Sequence, residues 1–392
     1  MIAHNLLWFL IGAACSYAIN QTRATQKSKK EEEKPSSKEK ADAKVVSLAL
    51  GDPYFVMNAE HQDLRFKAPK DRFHLAFPEN TKQQILAIKP TFFNAQWEEA
   101  EHFLDGQSKD DFIQKAASAL DITPEKFKQM LQESERQVAE SLLQKIEAGE
   151  PYFIGYMYCI QKMQPNREGI EERPTVDVSS FLSDYYTHRV MANIYRKVYR
   201  NNPEIAPSRI SPQLAKLRYF LTSFGIDTLI ILADEGEHGS VVFAKRSGKL
   251  YNMREDMWHE AMNEAVSVSD LDETTGTISF EKAIARGIRE ELGVDLKTGK
   301  YPYDIQYSDI ALIQDPLEAG VSAFVTIHNL TYKDLELMYL SAKDRELESV
   351  GLTMVPLDEG FLEAFLSQNH VTPACTHMVE MLISKHLNIV AS

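Results

Sequence analysis

Cysteine is scarce: the 392-residue chain has three, Cys15, Cys159 and Cys375. No two have metal-ligand spacing, which excludes both a zinc framework and a disulfide scaffold and leaves thiols suited to a reducing compartment. The bulk of the chain is therefore expected in the cytosol. Net positive charge is also lacking, the balance being −14. That excludes sequence-independent binding to long nucleic acid, which needs a basic surface to displace counterions. A small anionic ligand in a local basic pocket is not excluded. At 44% hydrophobic and 10% aromatic the chain can bury large cores, which excludes wholesale disorder. Its length suggests two or three domains.

No Lys or Arg precedes the first apolar run, LLWFLIGAACSYAI over residues 6–19. A secretory signal would carry a basic segment there, and Gly12 stands where a lipoprotein site expects an aliphatic residue. Positive charge follows instead, at Arg23, Lys27, Lys29 and Lys30. The positive-inside rule then predicts an uncleaved single-span anchor, residues 1–20, in a bacterial inner membrane with the rest of the chain cytoplasmic. As a helix the run is roughly 21 Å long, short against a hydrocarbon core of about 30 Å. Gly12 and Ser16 have the spacing that lets membrane helices pack closely, and self-association is one expectation.

Residues 21–44, with KKEEEKPSSKEKADAK, read as a charged, disordered linker. Residues 45–150 read as a helical domain. Ser108 with Asp111, and Thr123-Pro124-Glu125, are helix starts. The stretch AASALDITPEKFKQML has the rhythm of a helix-turn-helix, but its second helix mixes Lys126 and Lys128 with Glu125, Glu133 and Glu135. A plain helical hairpin fits that charge pattern. Residues 151–223 hold the apolar run YFIGYMYCI, a Tyr-rich amphipathic segment and a helix near 212–223. They read as a helical connector packed on the next domain. Tyr185, Tyr186, Tyr195 and Tyr199 are spaced as core residues, although such rings also stack on nucleobases.

Residues 224–392 form the last predicted domain. Strands are expected at 226–233 and 240–246, around a DEGEHG turn. A linking stretch follows, NMREDMWHEAMNEAVS, and then a helix, FEKAIARGIREEL, ended by Gly293. Further strands are expected near 305–313 and 321–328, then a strand and a final helix.

IARGIREELGV resembles the second half of the Nudix box: Arg286, Ile288, Glu290, Glu291, Gly293 and Val294 match its pattern. The hairpin before it and the ELESVGLTMVPLDE tail after it resemble that fold's element order, over about residues 226–370. The resemblance implies an α/β (α+β) Nudix-like sandwich at the C-terminus. The sequence departs from the family in four places. Gly287 replaces the first Glu of the motif, Ile278 and Asp272 stand at its upstream Glu and Gly, and MWHEAMNEAVS stands for its Gly-Gly loop. Nudix hydrolysis implies carboxylates converging on divalent metal, and here Glu290 and Glu291, with Glu348 as a later contributor, are the candidates. In a helix Gly287 costs about 1 kcal/mol against Ala, so room for a ligand or for neighbouring backbone is the expected reason for it.

The order of anchor, charged linker, helices and degenerate Nudix-like domain resembles the transmembrane–Nudix effectors of CBASS, the cyclic-oligonucleotide antiphage systems. That resemblance implies a sensor of a cyclic oligonucleotide made by a CD-NTase. Binding would drive homo-oligomerisation and disruption of the lipid bilayer, with no cofactor required. Phosphates favour Arg and Lys, and bases favour aromatic faces. The expected ligand-binding group is Lys245, Arg246, Arg254, Trp258, His259 and Arg286. Two alternatives stay open. One is a membrane-tethered Nudix hydrolase of nucleoside diphosphate derivatives, using Glu290 and Glu291 with Mg2+. The other is a tethered scaffold whose helices bind a protein partner.

Overall fold

In the computed structural model the described residues are 45–47, 64–66, 69, 71–93, 100–150, 152–169, 173–206, 215–247, 256–315 and 317–384. The expected anchor and linker, Gly12, Ser16 and Arg254 lie outside them. Among the described residues no helix is long and apolar enough to cross a membrane.

In chain order, short strands β1 (Val45–Ser47) and β2 (Leu64–Phe66) precede three helices. These are α1 (Glu79–Ile88), α2 (Lys109–Ala119) and α3 (Pro124–Ala148). The helix starts expected at Ser108 and Thr123 are both present. Ser108 forms a capping box with Asp111, and the Thr123 hydroxyl accepts from the Lys126 N–H with Pro124 in the first turn. Then come β3 (Tyr156–Glu168), β4 (Arg173–Asp184) and α4 (Tyr185–Tyr199). The segment expected as a helical connector thus holds a strand hairpin as well as a helix, with 13 and 12 residues in β3 and β4 against 15 in α4. β3 and β4 form a long antiparallel hairpin, with β2 alongside β4. YFIGYMYCI is rich in aromatic residues, which suit a pleated surface. Of the helix expected near 212–223, residues 215–217 are helical within the described part.

The chain continues through β5 (Phe224–Leu232), β6 (Ser240–Arg246), β7 (Trp258–Glu260), β8 (Met262–Ala265), β9 (Leu271–Asp272) and β10 (Thr277–Ile278). The motif helix is α5 (Phe280–Leu292). It is followed by β11 (Tyr303–Ile313), β12 (Glu318–Ile327), α6 (Tyr332–Tyr339), α7 (Arg345–Glu348), β13 (Ser349–Pro356), α8 (Glu359–Gln368) and α9 (Pro373–Leu382). The linking stretch expected before the motif helix is therefore also paired: β7 lies against β6 and β8 against β5.

Among the described residues these strands form an eight-stranded mixed sheet ordered β1-β11-β12-β5-β6-β13, with β7 and β8 added at β6 and β5. Its one parallel pair along that path is β12 with β5. Alternation along β5 serves two cores. Phe224, Ile226, Ile230 and Leu232 join Ile284, Ile288 and Leu292 of α5. Leu229 and Ile231 join Val241, Phe243 and Phe324, capped by Leu362 and Phe365 of α8 and Met378 of α9. The sheet is thus sandwiched between helices.

The α5-side core does not stop at residue 223 or 150. It runs on through Tyr195, Phe181, Phe127, Phe112 and Phe73. Phe66 stacks on Phe224 at 5.0 Å and meets Phe280 edge-on at 5.7 Å. The buried tyrosines Tyr186 and Tyr195 belong to this core. From Ala43 onward the chain is one compact unit.

Candidate functional site

The motif helix is set by local chemistry at both ends. Ser279 accepts from the Lys282 N–H at 3.2 Å, and Gly293 closes the helix with φ 74°. A Cβ at Gly293 would lie 2.4 Å from the Met338 carbonyl oxygen, so only glycine permits α6 to sit there. Gly287 has a packing reason too. A Cβ there would stand 2.7 Å from Met262 Sδ, 3.0 Å from its Cγ and 3.1 Å from Glu264 Cβ. The space beside Gly287 is filled by strand β8. Of the two expectations, close approach of a neighbouring strand holds, and the room is not left for a ligand.

Arg286 is the hub of the helix's polar face. Its Nε and Nη2 donate to the two Asp270 oxygens at 3.0 and 2.8 Å, and Nη2 also reaches the Ala265 carbonyl at 2.8 Å. Nη1 pairs with Glu264 at 3.0 Å and approaches Glu290 at 3.9 Å. Burial alone would lower the guanidinium's pKa, but Asp270 and Glu264 together raise it. With this many partners Arg286 locks β8 and the 268–270 turn to α5, and it is not presented to a ligand.

Four carboxylates interact around this helix. Glu290 takes Lys343 at 3.3 Å and Arg289 at 3.8 Å besides Arg286. Glu291 is buried, and one oxygen accepts the Asn263 N–H at 3.1 Å. Burial pushes its pKa well up, with Glu348 and Glu264 adding to the effect. Burial likewise raises Glu348 to about 7, opposed by the charge of Arg246. Glu264 is also raised by burial, against the pull of Arg286. Arg246 is 7% exposed, and its Nε has no hydrogen-bond partner among the described residues. Its charge opposes the burial effect at Glu291, Glu348 and Asp227.

Glu290, Glu291 and Glu348 are thus brought near one another, and the structure adds Glu264, from the stretch that stands for the Gly-Gly loop. They do not form a magnesium cradle. Among the described residues no three carboxylate, histidine or cysteine side chains converge so as to hold a metal ion. Glu264 and Glu290 are engaged with cations, and Glu291 with a backbone N–H, whereas magnesium demands near-octahedral oxygen geometry.

The expected ligand-binding group is divided by the sheet. Lys245 and Trp258 face each other across β6 and β7 on the α8 side, where Lys245 meets Asp256 at 3.5 Å and Trp258 packs on Phe365. Arg246 and Arg286 lie on the α5 side. His259, paired with Ala244, is 1% exposed. Adjacent residues of a strand point to opposite faces, so Lys245 and Arg246 cannot grip one ligand from the same side.

A second buried polar group lies on the α9 side and was not anticipated. Asn263 Nδ2 donates to Asp227 Oδ1 and, at 3.0 Å, to Glu260 Oε1. Burial and the Glu260 charge raise Asp227 well above the usual carboxylate range. Gly320 leaves the room for this: its Cβ would be 3.0 Å from Asp227 Oδ2. Nearby, His377 Nε2 bonds Asp309 Oδ2 at 2.7 Å. Acidic residues in β-strand spacing look like solvated surface in a sequence, which is why this group was missed.

No family model matches the chain, and no curated protein matches it. Several solved Nudix structures are similar to it. The NUDIX domain of Shewanella oneidensis NrtR, complexed with ADP ribose, is 14% identical with a TM-score of 0.28, covering 41% of this chain and 86% of that one. A Caenorhabditis elegans Ap4A hydrolase binary complex is 10% identical with a TM-score of 0.26, covering 43% and 99%. A mutT/nudix family protein from Listeria innocua is 14% identical with a TM-score of 0.25, covering 43% and 94%.

Proposed function

We propose that the chain is a membrane-anchored nucleotide sensor. Its C-terminal sandwich is a Nudix-like domain that binds a cyclic oligonucleotide second messenger, made by a CD-NTase, without needing to cleave it. Binding brings copies of the chain together, and their short N-terminal anchors disturb the bilayer, as in a CBASS effector. One observation carries the binding-over-cleavage part. The motif helix keeps Arg286, Glu290, Glu291 and Gly293, but the place of its first glutamate is Gly287, and β8 closes the space a side chain would need. The helix is kept as a brace while its carboxylates are spent on protein partners. The membrane part is supported by the uncharged run 6–19 and the cations that follow it. Anchors shorter than the bilayer create mismatch, which clustering concentrates.

The test is calorimetric titration of the full chain, in detergent or bicelles, with a panel of cyclic di- and trinucleotides, each mixture then analysed for products. Binding of one ligand recovered intact is the expected result. Metal-dependent cleavage lost in Glu290→Gln would replace this reading with the hydrolase. That second reading has one observation in its favour: Glu348 titrates near 7, where a general acid or base is useful.

A further inference from the structure

One cleft outside the motif-helix region carries a charge opposite to that of the protein. It lies between α2 and residues 215–219, has a volume of about 360 Å³, and is lined by Gln114, Lys115, Ser118, Lys216, Arg218 and Tyr219, with Ala215 at its edge. Sites for small molecules occupy roughly 300–1,000 Å³, so the space suits one compact ligand. Lys115, Lys216 and Arg218 put three cations around it, in a chain whose net charge is −14. In such a chain the negative background repels an anion everywhere except where cations cluster, so this cleft is favoured for anion capture.

The lining is arranged as well as charged. Gln114 and Ser118 stand one turn apart on α2, with Lys115 beside them, so an amide, a hydroxyl and an ammonium point to one side. Arg218 is held in place: Nη2 pairs with Asp105 at 2.7 Å and the guanidinium lies 5.2 Å from the Tyr219 ring centroid. Tyr219, 1% exposed and bonded to Gln107, makes a rigid floor. A guanidinium pinned on one edge keeps donors on the others and loses little freedom on meeting an oxyanion. Lys115 and Lys216 are exposed, and Lys115 lies one turn from Asp111 on α2, whose carboxyl its charge helps to lower. The C-terminal end of α2 brings about half a negative charge to the cleft and Asp105 offsets Arg218, against which stand Lys115 and Lys216.

We infer that this cleft, and not the C-terminal sandwich to which the reading above assigns the ligand, binds the phosphate groups of a small nucleotide. Lys115, Lys216 and Arg218 bind the phosphates, and Gln114 and Ser118 supply hydrogen bonds to the remainder. The nucleotide identity rests on the sensor reading above; the phosphate chemistry rests on the cleft alone.

The test uses the full chain in bicelles, titrated with inorganic pyrophosphate, ADP and a 3′,5′-cyclic dinucleotide. Wild type is compared with Lys115→Glu/Lys216→Glu, the milder Lys115→Gln/Lys216→Gln, and Glu290→Gln, each checked for an unchanged thermal midpoint. The expected result is nucleotide binding that falls about a hundredfold or more on charge reversal, falls less with the glutamines, and is unchanged in Glu290→Gln. Nucleotide binding that survives charge reversal overturns this assignment and leaves the sensor reading standing. Pyrophosphate binding that charge reversal abolishes, with no nucleotide bound, supports the phosphate site and overturns the sensor reading. No binding of any of the three overturns both.

Discussion

Replacing Gly287 by alanine separates helix propensity from packing. In an exposed helix the change would stabilise by about 1 kcal/mol. Here the new methyl meets Met262 Sδ at 2.7 Å, Met262 Cγ at 3.0 Å and Glu264 Cβ at 3.1 Å. The sulfur could swing away from an open site, but Met262 is fully buried, and the other two atoms are close to their own backbones. Overpacking of this kind costs roughly 1–3 kcal/mol, so the net change should be a loss of about 0–2 kcal/mol. Gly287→Glu, which restores the motif's first glutamate, adds a longer side chain and a charge to the same space and should cost more than alanine. We predict that Gly287→Ala lowers the thermal midpoint of the full chain, and that Gly287→Glu lowers it further without creating metal-dependent hydrolysis. Gly287→Ala in a Met262→Ala background should recover part of the loss, since the cycle removes the clash. Urea and thermal unfolding measure wild type, Gly287→Ala, Gly287→Glu, Met262→Ala and the double variant, the cycle asking whether Gly287→Ala costs less in the Met262→Ala background than beside Met262. A Gly287→Ala variant about 1 kcal/mol more stable than wild type would refute the reasoning, because β8 would then impose nothing on the helix.

Two further outcomes follow from the same geometry, and a third from the proposed anchor. Arg286→Met leaves Asp270, 1% exposed, and Glu264 without their cation; breaking a buried pair costs about 3–5 kcal/mol, and Arg286→Lys should restore only part of it because lysine cannot fork. Melting curves distinguish the three proteins. Glu348 has its folded pKa raised from 4.5 to about 7, so the folded state holds the proton more tightly. Its contribution is present below pH 4.5 and lost as pH rises through about 7. The stability of Glu348→Gln relative to wild type should therefore improve across that window, and a flat difference between pH 4.5 and 8 would show that burial does not perturb this carboxyl. Deleting residues 1–20 should abolish toxicity in cells while leaving nucleotide binding intact; toxicity that survives the deletion removes the membrane step.

Helix ends were legible in the sequence wherever they depend on a few neighbouring residues. Ser108, Thr123 and Gly293 each act on backbone groups within about a turn, and each sits where its residue type implies. The hairpin β5–β6 and the strands β11 and β12 were legible for a similar reason, since β-branched runs broken by turn residues carry their own signal. The strand character of YFIGYMYCI and of the stretch around Trp258 was not. Short apolar or mixed segments suit either a helix or a strand, and the partner that decides between them, β4 for one and β6 for the other, lies elsewhere in the chain.

The candidate site divides along the same line. Composition and motif alone determined that a helix carrying Arg286, Glu290, Glu291 and Gly293 would be built, amphipathic and capped. Only the tertiary structure decided that Arg286 would be consumed by Asp270 and Glu264, and that Lys245 and Arg246 would part to opposite faces of a sheet. It also decided that Gly287 would make room for Met262, and that Lys115, Lys216 and Arg218, a hundred residues apart in part, would meet around one cleft. Propensity and capping are short-range and act through the backbone; what a charge does depends on which other charges folding brings within a few ångströms and how much water it takes away.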